Sequence, residues 1–207
     1  MQKPNGYDEA RVNGEYTPIE KGGHYCVIKQ VSETTTKKDG KPMIVVILDF
    51  CPPDKQNGYF SSTFANDDRP DKKWPFAGTV YITVPDYQDS NKTSRNFKTF
   101  CSCVEKSNNY TITWGGNDWA KQFAGKKIGA VYGQVEDEYN GKTFMKILPR
   151  YFCKVESVAD ASIPEPKYLS DEKKSGASSG TEIAKNDTAG SDGFMNVPDG
   201  IAEEIPW

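Results

Sequence analysis

Met43 to Phe50 reads Met-Ile-Val-Val-Ile-Leu-Asp-Phe, an unbroken apolar run apart from one aspartate. A strand that faced water on one side would alternate, and this one does not, so it is expected in the middle of a sheet, covered on both faces. Its neighbours supply the partner. His24 to Thr35 opens with apolar residues two apart (Tyr25, Val27, later Val31), and Lys37 to Pro42 (KKDGKP) is a turn signal between the two arms of a hairpin. A second hairpin is expected over 127–148, where Lys127 to Glu138 and Thr143 to Leu148 flank Asn140-Gly141, a pair suited to the positive φ angles of a tight turn. Arg150 to Val158 is expected to extend that sheet, and Thr79 to Val84 alternates as a fifth strand.

Between the hairpins the period changes. Phe97, Phe100, Cys101 and Val104 fall at helical spacing within 91–107, with Ser90 and Thr93 as potential caps. Trp119 and Phe123, four apart and followed by Gly125, predict a short second helix over 117–124. Residues 51–78, broken by Pro-Pro, Asn-Gly and Trp-Pro, read as loop. The expected fold is mainly β with inserted helices. An OB-like five-stranded antiparallel barrel is the most economical closure because it leaves few edges, although periodicity alone also allows other small barrels or a sandwich.

The polar end of the chain sets the limits of this domain. The 26 Lys and Arg and 29 Asp and Glu divide unevenly: 4 basic and 10 acidic residues fall from Ala159 onward, leaving 22 and 19 before it. A mildly basic body over 1–158 is thus followed by an acidic arm. Residues 159–191 have too few large apolar groups to offset their ordering entropy and read as a flexible linker. Residues 192–207 (DGFMNVPDGIAEEIPW) combine four carboxylates with apolar anchors and read as a tip that docks on a partner. Asp199, Glu203, Glu204, Ile205, Pro206 and Trp207 are its candidate contact residues.

No run approaches membrane-spanning length, the first residues are too polar for a secretory signal, and five cysteines without framework spacing fit a reducing compartment. A cytoplasmic protein with no membrane partner is expected. Catalysis finds little footing. His24 is the single histidine and reads as an ordinary surface residue at a strand start; the cysteines lack zinc-finger spacing and read as core thiols; Glu136, Asp137 and Glu138 read as a solvated hairpin tip. No enzyme and no cofactor are expected.

The positive signal is aromatic residues mixed with cations. The body holds 22 of the 25 Phe, Trp and Tyr residues, several beside Lys or Arg. Single strands are held in this way, bases stacking on rings while cations follow the phosphates. Strand parity puts Tyr132 on the polar side of its strand, where it forms one exposed patch with Phe144 and Lys146, with Lys29 as an added cation. Lys72, Lys73 and Trp74 form a second basic-aromatic run.

Two segments carry a resemblance. Asp199-Gly200-Ile201-Ala202-Glu203-Glu204-Ile205-Pro206-Trp207 looks like the acidic, Pro-aromatic ending of bacterial single-strand binding proteins, with Trp in place of Phe. Gly58-Tyr59-Phe60 through Asn66-Asp67-Asp68-Arg69 to Asp71-Lys72-Lys73-Trp74-Pro75, with Gly125 to Gly129 later, is similar to replication-module proteins of phages of Gram-positive bacteria. The chain therefore resembles bacteriophage and prophage single-stranded DNA-binding proteins of the OB type. This implies non-sequence-specific binding of single-stranded DNA in phage replication or recombination in a bacterial host cytoplasm, with the tip recruiting replication or recombination proteins. An interaction adaptor with a small barrel and no DNA affinity is the alternative.

Overall fold

The structure, a computed structural model, describes residues 2–7, 17–116 and 118–169. The expected linker beyond residue 169 and the docking tip, including Asp199, Glu203, Glu204, Ile205, Pro206 and Trp207, lie outside the described residues.

Five strands form one antiparallel sheet: β1 (Gly22–Thr35), β2 (Pro42–Phe50), β3 (Thr79–Thr83), β4 (Lys127–Tyr139) and β5 (Lys142–Cys153). Their order is β3-β2-β1-β4-β5, an open sheet with β3 and β5 at its edges. The apolar run behaves as expected: Met43 to Phe50 is buried throughout, between β1 and β3. Asn140 and Gly141 turn the second hairpin with φ of 51° and 72°. β1 is long because it serves two partners. Its first half, Gly22 to Val27, pairs with β4, and from Cys26 onward it pairs with β2. A bulge at Lys29 lies between the pairs Ile28–Leu48 and Gln30–Ile47, and such an insertion bends a strand and raises its twist.

One face of the sheet packs the core, with Ile28, Ile44, Val46, Leu48, Val80 and Ile82 among its residues. Helix α2 (Arg95–Asn108) closes it with Phe97, Phe100, Cys101, Cys103 and Val104. The helix starts later than expected. Thr93 bridges to Pro85, and Ser94 becomes the cap, its Oγ accepting from the Phe97 N–H at 3.2 Å. The expected second helix is a 3-10 turn, Trp119–Phe123, and the extension after Cys153 is another, Val155–Ser157.

Residues 51–78 are not all loop, since Tyr59–Ala65 form a helix, α1. Its cap is non-local. The buried Asp49 carboxylate on β2 accepts from the Phe60 N–H at 2.9 Å and from the Ser61 hydroxyl. Phe60, fully buried, then packs on Phe50 with ring centroids 4.8 Å apart. The edges of the sheet approach through the 3-10 turn Phe76–Gly78, which packs against β5.

Among the described residues, part of the segment expected as linker, residues 159–169, lies against the sheet. Beyond Tyr132, β4 has lost β1 as a neighbour, and residues near Lys167 take that place: the Lys167 N–H donates to Gln134 O at 3.0 Å, and the Glu136 N–H donates to Lys167 O at 2.8 Å. Leu169 N–H reaches Glu136 Oε2 at 3.0 Å, and Arg150 Nη1 reaches Glu165 O at 2.9 Å. A Cβ on Gly133 would lie 2.5 Å from Pro164 Cγ, so glycine is what lets this strap lie down on the strand. Among the described residues no helix is long and apolar enough to cross a membrane.

Candidate nucleic-acid interface

The exposed-patch expectation for Tyr132 is overturned. Its ring is fully buried, edge-on to His24 and Phe50 with centroids 5.2 Å from each, and its hydroxyl donates to Ala77 O at 2.9 Å. Alternation along β4 is regular and puts Tyr132 on the core face with Ile128 and Ala130; the nearby bulge is on β5, where Arg150 is the extra residue between the pairs Val131–Tyr151 and Tyr132–Pro149. This half of β4 is also buried on both faces. Burial pushes the Tyr132 hydroxyl pKa well above its ordinary value, so it stays a neutral hydrogen-bond donor.

His24 is corrected as well. It is buried, stacked on Phe50 at 4.2 Å, with Nδ1 3.1 Å from Asp54 Oδ2 and Nε2 3.0 Å from Glu20 O. It is a structural bridge between β1 and the loop after β2.

Phe144 and Lys146 do share a face of the β4–β5 hairpin, paired with Asp137 and Val135. Lys146 lies over the Phe144 ring at 5.1 Å and donates to Asp137. Burial acts to raise the Asp137 pKa, but the Lys146 and Glu138 N–H hydrogen bonds outweigh it and hold the carboxyl below its ordinary value. With Glu136 and Glu138 alongside, this arm offers phosphate little net attraction. Lys29 belongs elsewhere. The Ile28 N–H bonds to Lys126 O at 2.9 Å, so Lys29 sits at the start of β4, about 40 Å of extended strand from the hairpin tip.

Lys29 instead helps to frame a face that periodicity had hidden. Opposite the core, the sheet presents three cross-strand rows: Gln30, Ile47 and Thr79; Ser32, Val45 and Tyr81; Thr34, Met43 and Thr83. The β2 column is apolar and itself buried, and the groups left accessible beside it are the flanking hydroxyls and amide of Gln30, Ser32, Thr34, Tyr81 and Thr83. Tyr81 is half-buried, and desolvation raises its hydroxyl pKa. The bulge puts Lys29 beside Gln30 at one end, exposed.

Trp74, Lys72 and Lys73 stand at that same end of β2. The Trp74 indole N–H donates to Leu48 O at 3.1 Å, its ring leans on Phe64 at 5.5 Å, and Lys72 lies over Phe64 at 4.9 Å. At the other end the β1–β2 turn carries Lys37, Lys38 and Lys41, with Lys41 Nζ 5.4 Å from the ring of Tyr87, which is 87% exposed. The rows span about 13 Å between these two ends. The structure thus brings Lys29 together with the Lys72–Trp74 run and adds Tyr81, Tyr87 and the turn lysines. The signal for Tyr81 was its place on an alternating strand; the lysines were legible only as a turn.

Among the described residues, no three His, Cys, Asp or Glu side chains gather as a metal site requires. The cysteines are free, four of them buried and Cys153 half-buried. Burial pushes the Cys101 thiol up to about 12 and that of Cys103 up to about 11, so neither is a ready nucleophile. A scan against protein-family models matches none, and a search of curated proteins returns no match.

Proposed function

We propose that the protein binds single-stranded DNA without sequence preference, on an OB-type sheet, and does no chemistry on it. The observation that carries this reading is the outer face of β1, β2 and β3, a floor whose buried β2 column leaves Gln30, Ser32, Thr34, Tyr81 and Thr83 accessible, with lysines and aromatic rings at both ends. Such a floor accepts bases of any kind while the lysines meet phosphates. The OB reading draws support from the strand order, with β1 shared between β2 and β4 and a helix between β3 and β4, and from the β2–β3 face being the one such barrels use for oligonucleotides. Action in phage replication or recombination in the cytoplasm of a bacterial host, and recruitment of partner enzymes by Asp199 to Trp207, rest on the resemblance of those segments alone.

Fluorescence anisotropy of labelled single-stranded and duplex oligonucleotides across a salt series tests the reading. Preference for the single strand, weakening as salt rises, is expected. No binding to either at low salt overturns it and favours the adaptor.

A further inference from the structure

Trp114 stands well away from that face, in the segment between α2 and β4. It is 62% exposed, and it is not loosely held. Its ring stacks on Trp119 with centroids 5.6 Å apart and planes 23° from parallel, and Phe97 of α2 touches both, at 6.2 Å and 6.0 Å. One side chain fixes the backbone beneath it. Gln122 Oε1 accepts from the Thr113 N–H at 2.9 Å and the Tyr110 hydroxyl at 3.0 Å, while its Nε2 donates to Thr113 O at 2.9 Å and Trp119 O at 2.7 Å. Glu105 Oε1 accepts from the Ile112 N–H at 3.1 Å, and Ile112 is buried. The Trp119 indole N–H is shielded from solvent and has no acceptor among the described residues.

A fold gains most from an indole by burying it. Here two other aromatic rings, and five hydrogen bonds in the backbone beneath, immobilise a tryptophan while leaving most of it in water. Holding a ring rigid and open lowers the entropy lost when something flat lies on it. Cations that suit a charged strand stand around the same helix. Arg95 and Lys98, exposed and about 100–160° around α2 from Phe97, form no ion pair among the described residues, and with Thr99, Ser102 and Asp86 they line an open groove on that other face of the helix.

We propose that Trp114 is a nucleobase-stacking platform, a second contact for the single strand outside the β1–β3 face. This rests on the single-strand reading above. The test uses the full chain and labelled oligo-dT, with a matched oligomer in which abasic sugars replace the nucleotides. Trp114→Ala is expected to weaken binding to oligo-dT roughly 5- to 150-fold, the range for loss of one stacked base. Trp114→Phe, which keeps a ring, restores most of that loss, and neither change alters binding to the abasic oligomer. Wild-type affinity in Trp114→Ala overturns the platform and leaves the single-strand reading standing. An equal loss on the abasic oligomer overturns it too, because the indole would then act by holding the segment in shape. If the wild-type protein binds no oligo-dT at all, both proposals fall together.

Discussion

His24 meets an oxygen at each ring nitrogen, the Asp54 carboxylate and the Glu20 carbonyl. Burial acts to raise the Asp54 pKa, but hydrogen bonds from His24 and from the N–H groups of Gln56 and Tyr25 outweigh it and hold the carboxyl below its ordinary value. A carboxyl depressed in the folded state contributes stability that is present above its unfolded value, near 4, and is lost as pH falls through the folded one. Urea unfolding at a series of pH values is therefore expected to show stability falling below about pH 4, with a flatter profile in Asp54→Asn. His24→Ala removes one of three hydrogen-bond partners of the buried Asp54 carboxylate, leaving the Tyr25 and Gln56 N–H groups, and is expected to cost about 1–3 kcal/mol. Tyr132→Ala is expected to cost about 3–5 kcal/mol by opening a cavity, so any effect on DNA affinity must be read beside a melting curve. Tyr81→Ala is expected to cost about 0.2–1 kcal/mol of stability through its cross-strand contact with Val45 and to weaken oligo-dT binding by about 1–3 kcal/mol, measured by anisotropy beside a melting curve.

At the scale of elements, what could be read from the chain depended on how local its cause was. Both hairpins and α2 were legible because their apolar periods, and the Asn140-Gly141 turn, lie within the elements they define. α1 was not, because its N-terminus is satisfied by Asp49 from a strand that precedes it, with no cap in its own sequence. Asp49→Ala removes the acceptor for the Phe60 N–H and is expected to destabilise the protein by about 1–3 kcal/mol. Faster amide exchange across residues 60–65 would locate the damage in α1; uniform exchange would count against that role. Tyr132 was misplaced because Ile128 to Gly133 is buried on both faces, so alternation alone did not say which face meets the core. The β1–β3 face is a property of three strands in register, so its rows were invisible in any one of them.

For the whole molecule, the strap over 159–169 changes what counts as the domain. A chain ending at Leu169 is expected to melt like the full protein, whereas one ending at Val158 loses the bonds from Lys167, Leu169, Glu165 and Ser162 to the sheet. At about 1 kcal/mol for each bond, the shorter chain is expected to be less stable by about 2 kcal/mol or more, as urea denaturation would measure. Deleting Ile201 to Trp207 is expected to leave single-strand affinity equal or slightly higher, and a large loss would mean that these residues belong to the binding surface. The bulge at Lys29 carries a different kind of consequence. Lys29→Ala removes one charge and keeps the count of residues. Deleting Lys29 outright would set Ile28 and Gln30 side by side opposite Leu48 and Ile47, which are already consecutive, so Gln30, Ser32 and Thr34 keep their face, Val31 stays in the core, and only the bend is lost. At this one position a shorter strand keeps every later side chain on its own face, whereas a residue lost from a regular stretch of β1 would turn them over.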